Sequence, residues 1–251
     1  MKQFFLALTA AALLFSCKKD DNKEGVFKGT ETTVHGGKAW SSVNLDRDGK
    51  PQQLTLTLDN NVLNSVPVGT SDPGHTMENN FLISLHDKAL ENTPFQFIML
   101  NWNPDGHEPA TIYDLPHFDM HFYMTPASDV MNYMDMTKIE NAPGQDYIPA
   151  NHVPGAPVPM MGKHWVDVTS PEFHGQTFTQ TFIYGSYDGK VVFYEPMITL
   201  DFLKNTTNFE RPIPQPAKFQ TAGYYPTKMR VSKHDNVTDI TLDGFVYRQA
   251  S

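Results

Sequence analysis

From about residue 36 onward, the apolar positions recur at strand-like spacing. Gln53-Leu54-Thr55-Leu56-Thr57-Leu58 alternates polar and apolar side chains, the period of a half-buried strand. Phe81-Leu82-Ile83-Ser84-Leu85 and Phe95-Gln96-Phe97-Ile98-Met99-Leu100 are shorter and more continuously apolar. Thr177 to Tyr184 and Lys190 to Glu195 flank Tyr187-Asp188-Gly189, and Asp-Gly between two such runs is a strong hairpin signal. Asp48-Gly49 reads the same way. Tyr224-Tyr225, Met229 to Val231 and Asp239 to Tyr247 supply the last strands, with Asp243-Gly244 as a bulge or turn.

The 19 prolines and 16 glycines leave little room for long helices. Asp129 to Met136 and Pro196 to Lys204 are the short helices the pattern predicts. Residues 141–162, rich in Pro and Gly, are predicted to form a long loop, of the kind used for function or as an interface arm. No internal repeat is present. The expected architecture is one mainly β domain over 36–251, a β-sandwich or a strongly twisted β-barrel.

The N-terminus follows another pattern. Lys2 precedes an apolar run from Phe4 to Phe15, shorter than the roughly 20 residues that cross a bilayer. It has the form of a signal-peptide core. The run ends in Leu13-Leu14-Phe15-Ser16-Cys17, which resembles the cleavage box of bacterial lipoproteins. Residues 1–16 are therefore expected to be removed and Cys17 lipidated, with 17–35 a polar linker. The charged stretch Lys18-Lys19-Asp20-Asp21-Asn22-Lys23-Glu24 suits a solvated tether.

Stable anchoring takes more than one acyl chain, and lipoproteins of this class carry more than one. Lys18 is not the Asp that retains lipoproteins at the inner membrane. Lys19-Asp20-Asp21 resembles a surface-export signal. An outer-membrane lipoprotein of the cell envelope, facing the periplasm or the surface, is the expected location. Cys17 is the only cysteine, so no intramolecular disulfide can form. The net charge of −9, which loss of Lys2 takes to −10, argues against nucleic acid as a partner.

Chemistry concentrates between Trp102 and Met124. As a strand, residues 117–123 place His117, Asp119 and His121 on one face and Phe118, Met120 and Phe122 on the other. At strand rise, i and i+2 lie about 7 Å apart and i and i+4 about 13 Å. His117 and His121 could then share one ion only in a helix or across a bulge. The aromatic and apolar content favours the strand, so Asp119 with one histidine is the expected unit. His107, His164 and Glu195 are the further candidates for the same point. Imidazoles with carboxylates suit Zn²⁺, Mn²⁺ or Fe²⁺, and also serve as purely structural hydrogen-bond networks.

Met120, Met124, Met131, Met134, Met136, Met160 and Met161 add a Cu(I) alternative, though no tight Met-x-x-Met run is present. Tyr184-Gly185-Ser186-Tyr187 lacks the second glycine of a nucleophile elbow. No glycine-rich phosphate loop precedes a helix. Trp40, Trp102 and Trp165 read as core or interface residues.

The blocks Gly106-His107-Glu108-Pro109, Pro116-His117-Phe118-Asp119-Met120-His121-Phe122-Tyr123, Gly162-Lys163-His164-Trp165-Val166-Asp167 and Tyr194-Glu195-Pro196-Met197-Ile198-Thr199 resemble an uncharacterised family of exported bacterial β-rich proteins, classed as a domain of unknown function. The resemblance covers about 40–205. It implies a β-rich fold, leaves room for homo-oligomers, and implies no activity or cofactor, so no catalytic residue is carried over. Three functional expectations follow: a lipid-anchored protein binding a divalent metal or small ligand, a structural or interaction module that self-associates, and a metal-dependent surface enzyme with Asp119 or Glu195 as base.

Overall fold

The structure is a computed structural model that describes residues 23–69 and 77–251. The expected signal peptide over 1–16 and the expected lipidation site Cys17 lie outside the described residues. In chain order the elements are β1 (Gly25–Lys28), β2 (Thr32–Val34), β3 (Gly37–Leu45), β4 (Pro51–Asp59), α1 (Asn60–Ser65), β5 (Asn80–Ser84), α2 (Asp87–Asn92), β6 (Phe97–Asn103) and β7 (His117–Tyr123). There follow α3 (Ala127–Val130), α4 (Met136–Glu140), β8 (His152–Val158), β9 (Gly162–Asp167), β10 (Gln180–Tyr187), β11 (Lys190–Thr199) and α5 (Leu200–Asn205). The chain ends with β12 (Asn208–Pro212), β13 (Gly223–Tyr225), β14 (Lys228–His234), β15 (Val237–Asp243) and β16 (Val246–Arg248).

Two antiparallel sheets form a β-sandwich. One runs β1-β3-β4-β15-β14-β12 with β2 on β3, and the other runs β5-β6-β7-β11-β10-β9-β8; neither closes on itself. Between them lies the main core. Leu54, Leu56, Ile240 and Leu242 come from the first sheet, and Ile98, Leu100, Phe118, Phe122 and Tyr194 from the second. The barrel alternative is thereby set aside: each sheet ends in edge strands rather than pairing round to its start.

The second sheet is covered on both sides. Its outer face packs beneath the loops around it, in one cluster with Phe97, Tyr123, Tyr133 and Phe193 and another with Tyr113, Val166, Phe178, Ile183 and Met197. For this reason all seven residues of β7 are buried, polar ones included. The register sets Asn103 opposite His117, Asn101 opposite Asp119 and Met99 opposite His121. On the other side Tyr194 pairs with Phe122 and Met197 with Asp119, so Glu195 falls opposite His121.

Several expectations change at the level of elements. Residues 25–28 and 32–34 of the expected linker are strands of the first sheet, because β1 pairs with β3 and Phe27 packs on the core. The helix expected at 129–136 is two short ones, α3 and α4, the latter capped by Asp135, which accepts from Thr137 N at 2.9 Å. Of Pro196 to Lys204, residues 196–199 stay in β11. Helix α5 starts only after Thr199, whose Oγ1 accepts from Phe202 N at 3.2 Å. The expected loop or arm at 141–162 contains β8, an edge strand whose Pro154 and Pro157 sit at a register shift against β9. Prolines are tolerated there because an edge strand has one row of amides without a ladder to join. The Asp-Gly turns hold: Asp188 has φ 49° and Gly189 φ 75° between β10 and β11.

Candidate metal centres

The strand expected at 117–123 is present, and its alternation sorts the side chains as anticipated. Phe118, Met120 and Phe122 enter the sandwich core. His117, Asp119 and His121 face outward, beneath the covering loops. There the six candidates assemble into two groups rather than one: His107, His117 and Asp119 form the first, and His121, His164 and Glu195 the second. Within each group one donor atom per residue lies within 4.8 Å of the others. The expectation of a single meeting point is corrected. An extended β7 carries residues two apart to separate points on the sheet, so Asp119 and His121 serve different centres.

The first centre takes two residues from β7 and one from the β6–β7 connection. Gly106, at φ +75°, turns this connection; a Cβ there would lie 2.1 Å from the Tyr113 carbonyl oxygen. His107 N then donates to that oxygen at 3.0 Å, which returns the loop over the sheet. His107 Nε2 lies 3.2 Å from Asp119 Oδ2, and His117 Nε2 lies 3.0 Å from Asp119 Oδ1. Asn103 Nδ2 donates to Asp119 Oδ2 at 2.8 Å from the neighbouring strand.

The tautomers are set by geometry. His107 Nδ1 is 2.6 Å from the Glu108 carbonyl oxygen, and His117 Nδ1 is 2.6 Å from that of Leu115. A carbonyl can only accept, so each Nδ1 carries the proton. In a neutral ring Nε2 is then a lone pair, and it faces a carboxylate oxygen, another acceptor. His117 Nε2 and Asp119 Oδ1 are 3.0 Å apart, yet neither makes a hydrogen bond. Two acceptors are held this close only with a cation or an extra proton between them. Imidazole N–H to backbone carbonyl is the usual support of a metal-ligating histidine.

The second centre joins three strands. His121 Nε2 is 3.4 Å from Glu195 Oε1, and His164 Nε2, from β9, is 3.5 Å from Glu195 Oε2. His164 Nδ1 faces the Ala156 carbonyl oxygen at 3.3 Å, the same tautomer as in the first centre. The Phe193 ring packs edge-on to His121 at 4.8 Å and to His164 at 5.3 Å. That ring lies over Gly185, where a Cβ would sit 1.9 Å from it. Only glycine leaves the space.

Electrostatics separate the carboxylates. Burial opposes the charge of Asp119, but the His117 and His107 rings hold its carboxyl well below the usual range. Burial pushes Glu195 well above its ordinary value, and the nearby Asp119 carboxylate adds to this. Burial lowers His107, yet Asp119 wins and raises it. Both carboxylates are 1 % exposed, so each charge needs a partner.

A cleft of 690 Å³ opens over the centres, lined among others by His107, Asp119, His164, Val166, Ile183 and Met197. Sequence reasoning found all six polar residues but missed Asn103, Gly106, Gly185 and Phe193. Their roles depend on neighbours far along the chain. Of the methionines weighed for copper, Met120 is in the sandwich core, and Met131, Met134 and Met136 are exposed. Ser186 is buried and accepts from Trp165 Nε1 at 2.8 Å. Comparison with known families, curated proteins and solved structures returned no match.

Proposed function

We propose that the protein binds two divalent cations, Zn²⁺ foremost, and does so as a lipid-anchored protein of the bacterial envelope. The observation that carries the metal reading is the duplicated set of two imidazoles on one buried carboxylate, with three of the four histidines turned by backbone carbonyls. Two nitrogens and a carboxylate oxygen are a donor set that Zn²⁺ accepts, as do Fe²⁺ and Mn²⁺.

Spacing supports it. With metal–ligand bonds of about 2.0–2.1 Å, neighbouring ligand atoms are separated by about 2.9 Å at right angles and about 3.3 Å at tetrahedral angles. The four N–O separations here run from 3.0 to 3.5 Å. A network held by extra protons instead of metal would place an imidazolium pair around Asp119, a surplus positive charge in an interior of low dielectric.

Metal analysis of detergent-extracted protein tests the reading. Two Zn²⁺ per chain are expected in the wild type, and one each in Asp119→Asn and Glu195→Gln. A wild-type protein with no stoichiometric metal after incubation with Zn²⁺ and desalting sinks it. The lipid anchor rests on Leu13-Leu14-Phe15-Ser16-Cys17 and the polar stretch that follows. Labelled palmitate should enter the wild type and not Cys17→Ser, which should leave the membrane fraction.

A further inference from the structure

We infer that the two centres act together on one ligand: a small organic oxyanion whose charged head spans both cations and whose apolar body lies in the cleft above them. This rests on the metal reading.

In each centre a single histidine reaches toward solvent. His107 is 21 % exposed and His164 14 %, while His117, Asp119, His121 and Glu195 are all at 0–1 %. Both outer histidines line the same cleft, as does Asp119. Each cation would therefore have protein ligands beneath and beside it, and one histidine of each centre borders the same shared space. Three protein ligands leave at least one position for an outside atom.

The centres are also neighbours. Asp119 and His121 are two apart on β7, about 7 Å along the strand. Side chains converging from that backbone spacing bring the two ions nearer to each other than the Cα atoms, within reach of a head group that offers one oxygen to each, whereas a single bridging oxygen holds metals roughly 3.5–4 Å apart. A phosphate or carboxylate offers two oxygens to two cations.

Charge decides the order of events. Asp105, Glu108 and Asp114 are exposed on the cleft lining and, with Asp119 below, make an empty cleft attractive to cations. Once two divalent ions are in place, the two buried carboxylates leave the floor at a net charge of about +2. The cleft then favours an anionic head at its floor, close to the metals. Val158, Val166, Ile183 and Met197 supply apolar walls for the rest of the molecule.

Phenyl phosphate and inorganic phosphate are suitable probes, titrated calorimetrically into protein whose metal content has been counted. Phenyl phosphate should bind the doubly loaded wild type, roughly tenfold or more tighter than phosphate through its ring. Asp119→Asn and Glu195→Gln, each holding one metal, should each lose roughly tenfold or more in affinity for the probe. Val158→Trp, which fills the cleft from its apolar wall, should keep two metals and lose phenyl phosphate. Two metals without probe binding, or single-centre variants that bind as the wild type does, overturn this inference and leave the metal reading intact. Absence of metal overturns both.

Discussion

At the scale of single residues, the site depends as much on the absence of side chains as on the donors. Gly185 leaves the volume that the Phe193 ring fills, and this ring braces both histidines of the second centre. In Gly185→Ala the added methyl would overlap the ring, which must move. The expected cost is about 1–3 kcal/mol of stability, read from urea unfolding. The second metal should be lost while the first is retained. Retention of both metals would show that Phe193 does not position these rings. The donors themselves were legible in the chain, because imidazoles and carboxylates are conspicuous and the alternation around Asp119 fixes their face. Gly185 was visible only in the run weighed and rejected as a nucleophile elbow, since what it accommodates lies on the neighbouring strand.

At the scale of elements, β8 and β9 show how a Pro/Gly-rich stretch becomes structure. His152 pairs in register with Asp167, and its Nε2 donates to the Phe182 carbonyl at 3.4 Å, tying the edge to β10. Burial holds His152 below its ordinary value of 6.5, outweighing the pull of Asp167, with Arg211 helping to lower it. The unfolded chain therefore takes up this proton more readily than the folded one. The contribution of His152 is complete above about pH 6.5 and is lost as pH falls below it. Urea midpoints at pH 7.5, 6.5 and 5.5 should decline less steeply in His152→Gln than in the wild type; equal slopes would refute the assignment. The strands with clear alternation and the Asp-Gly hairpins were legible because each is a local signal. The β8 strand was not, because proline and glycine read as loop until an edge position makes them acceptable. Likewise Pro196 to Thr199 read as helix, although pairing with β10 and β7 extends β11 through them.

At the scale of the molecule, the sandwich supplies a floor whose far side carries the chemistry. One face of the second sheet closes the core, and the other, sealed by loops, holds two buried carboxylates with their histidines. Such a face is costly without compensation, so metal and fold should be linked. A chelator added to loaded protein should lower the melting temperature. At a free ion concentration a hundredfold above the dissociation constant, each centre contributes about 2.7 kcal/mol. The shift should roughly halve in Asp119→Asn or Glu195→Gln. A melting temperature indifferent to chelation would mean that the folded chain holds no ion in these centres. Among the described residues no helix is long and apolar enough to cross a membrane.

The chain alone determined its mainly β character, its outward row of His117, Asp119 and His121, and the six polar residues of interest. Those properties follow from residue type and a period of two. Tertiary structure alone decided that the six divide between two centres, that His107 joins Asp119 while His164 joins Glu195, and that one cleft serves both. Strand order and loop return bring together residues up to 74 positions apart, from His121 to Glu195, and no local pattern encodes which of them meet.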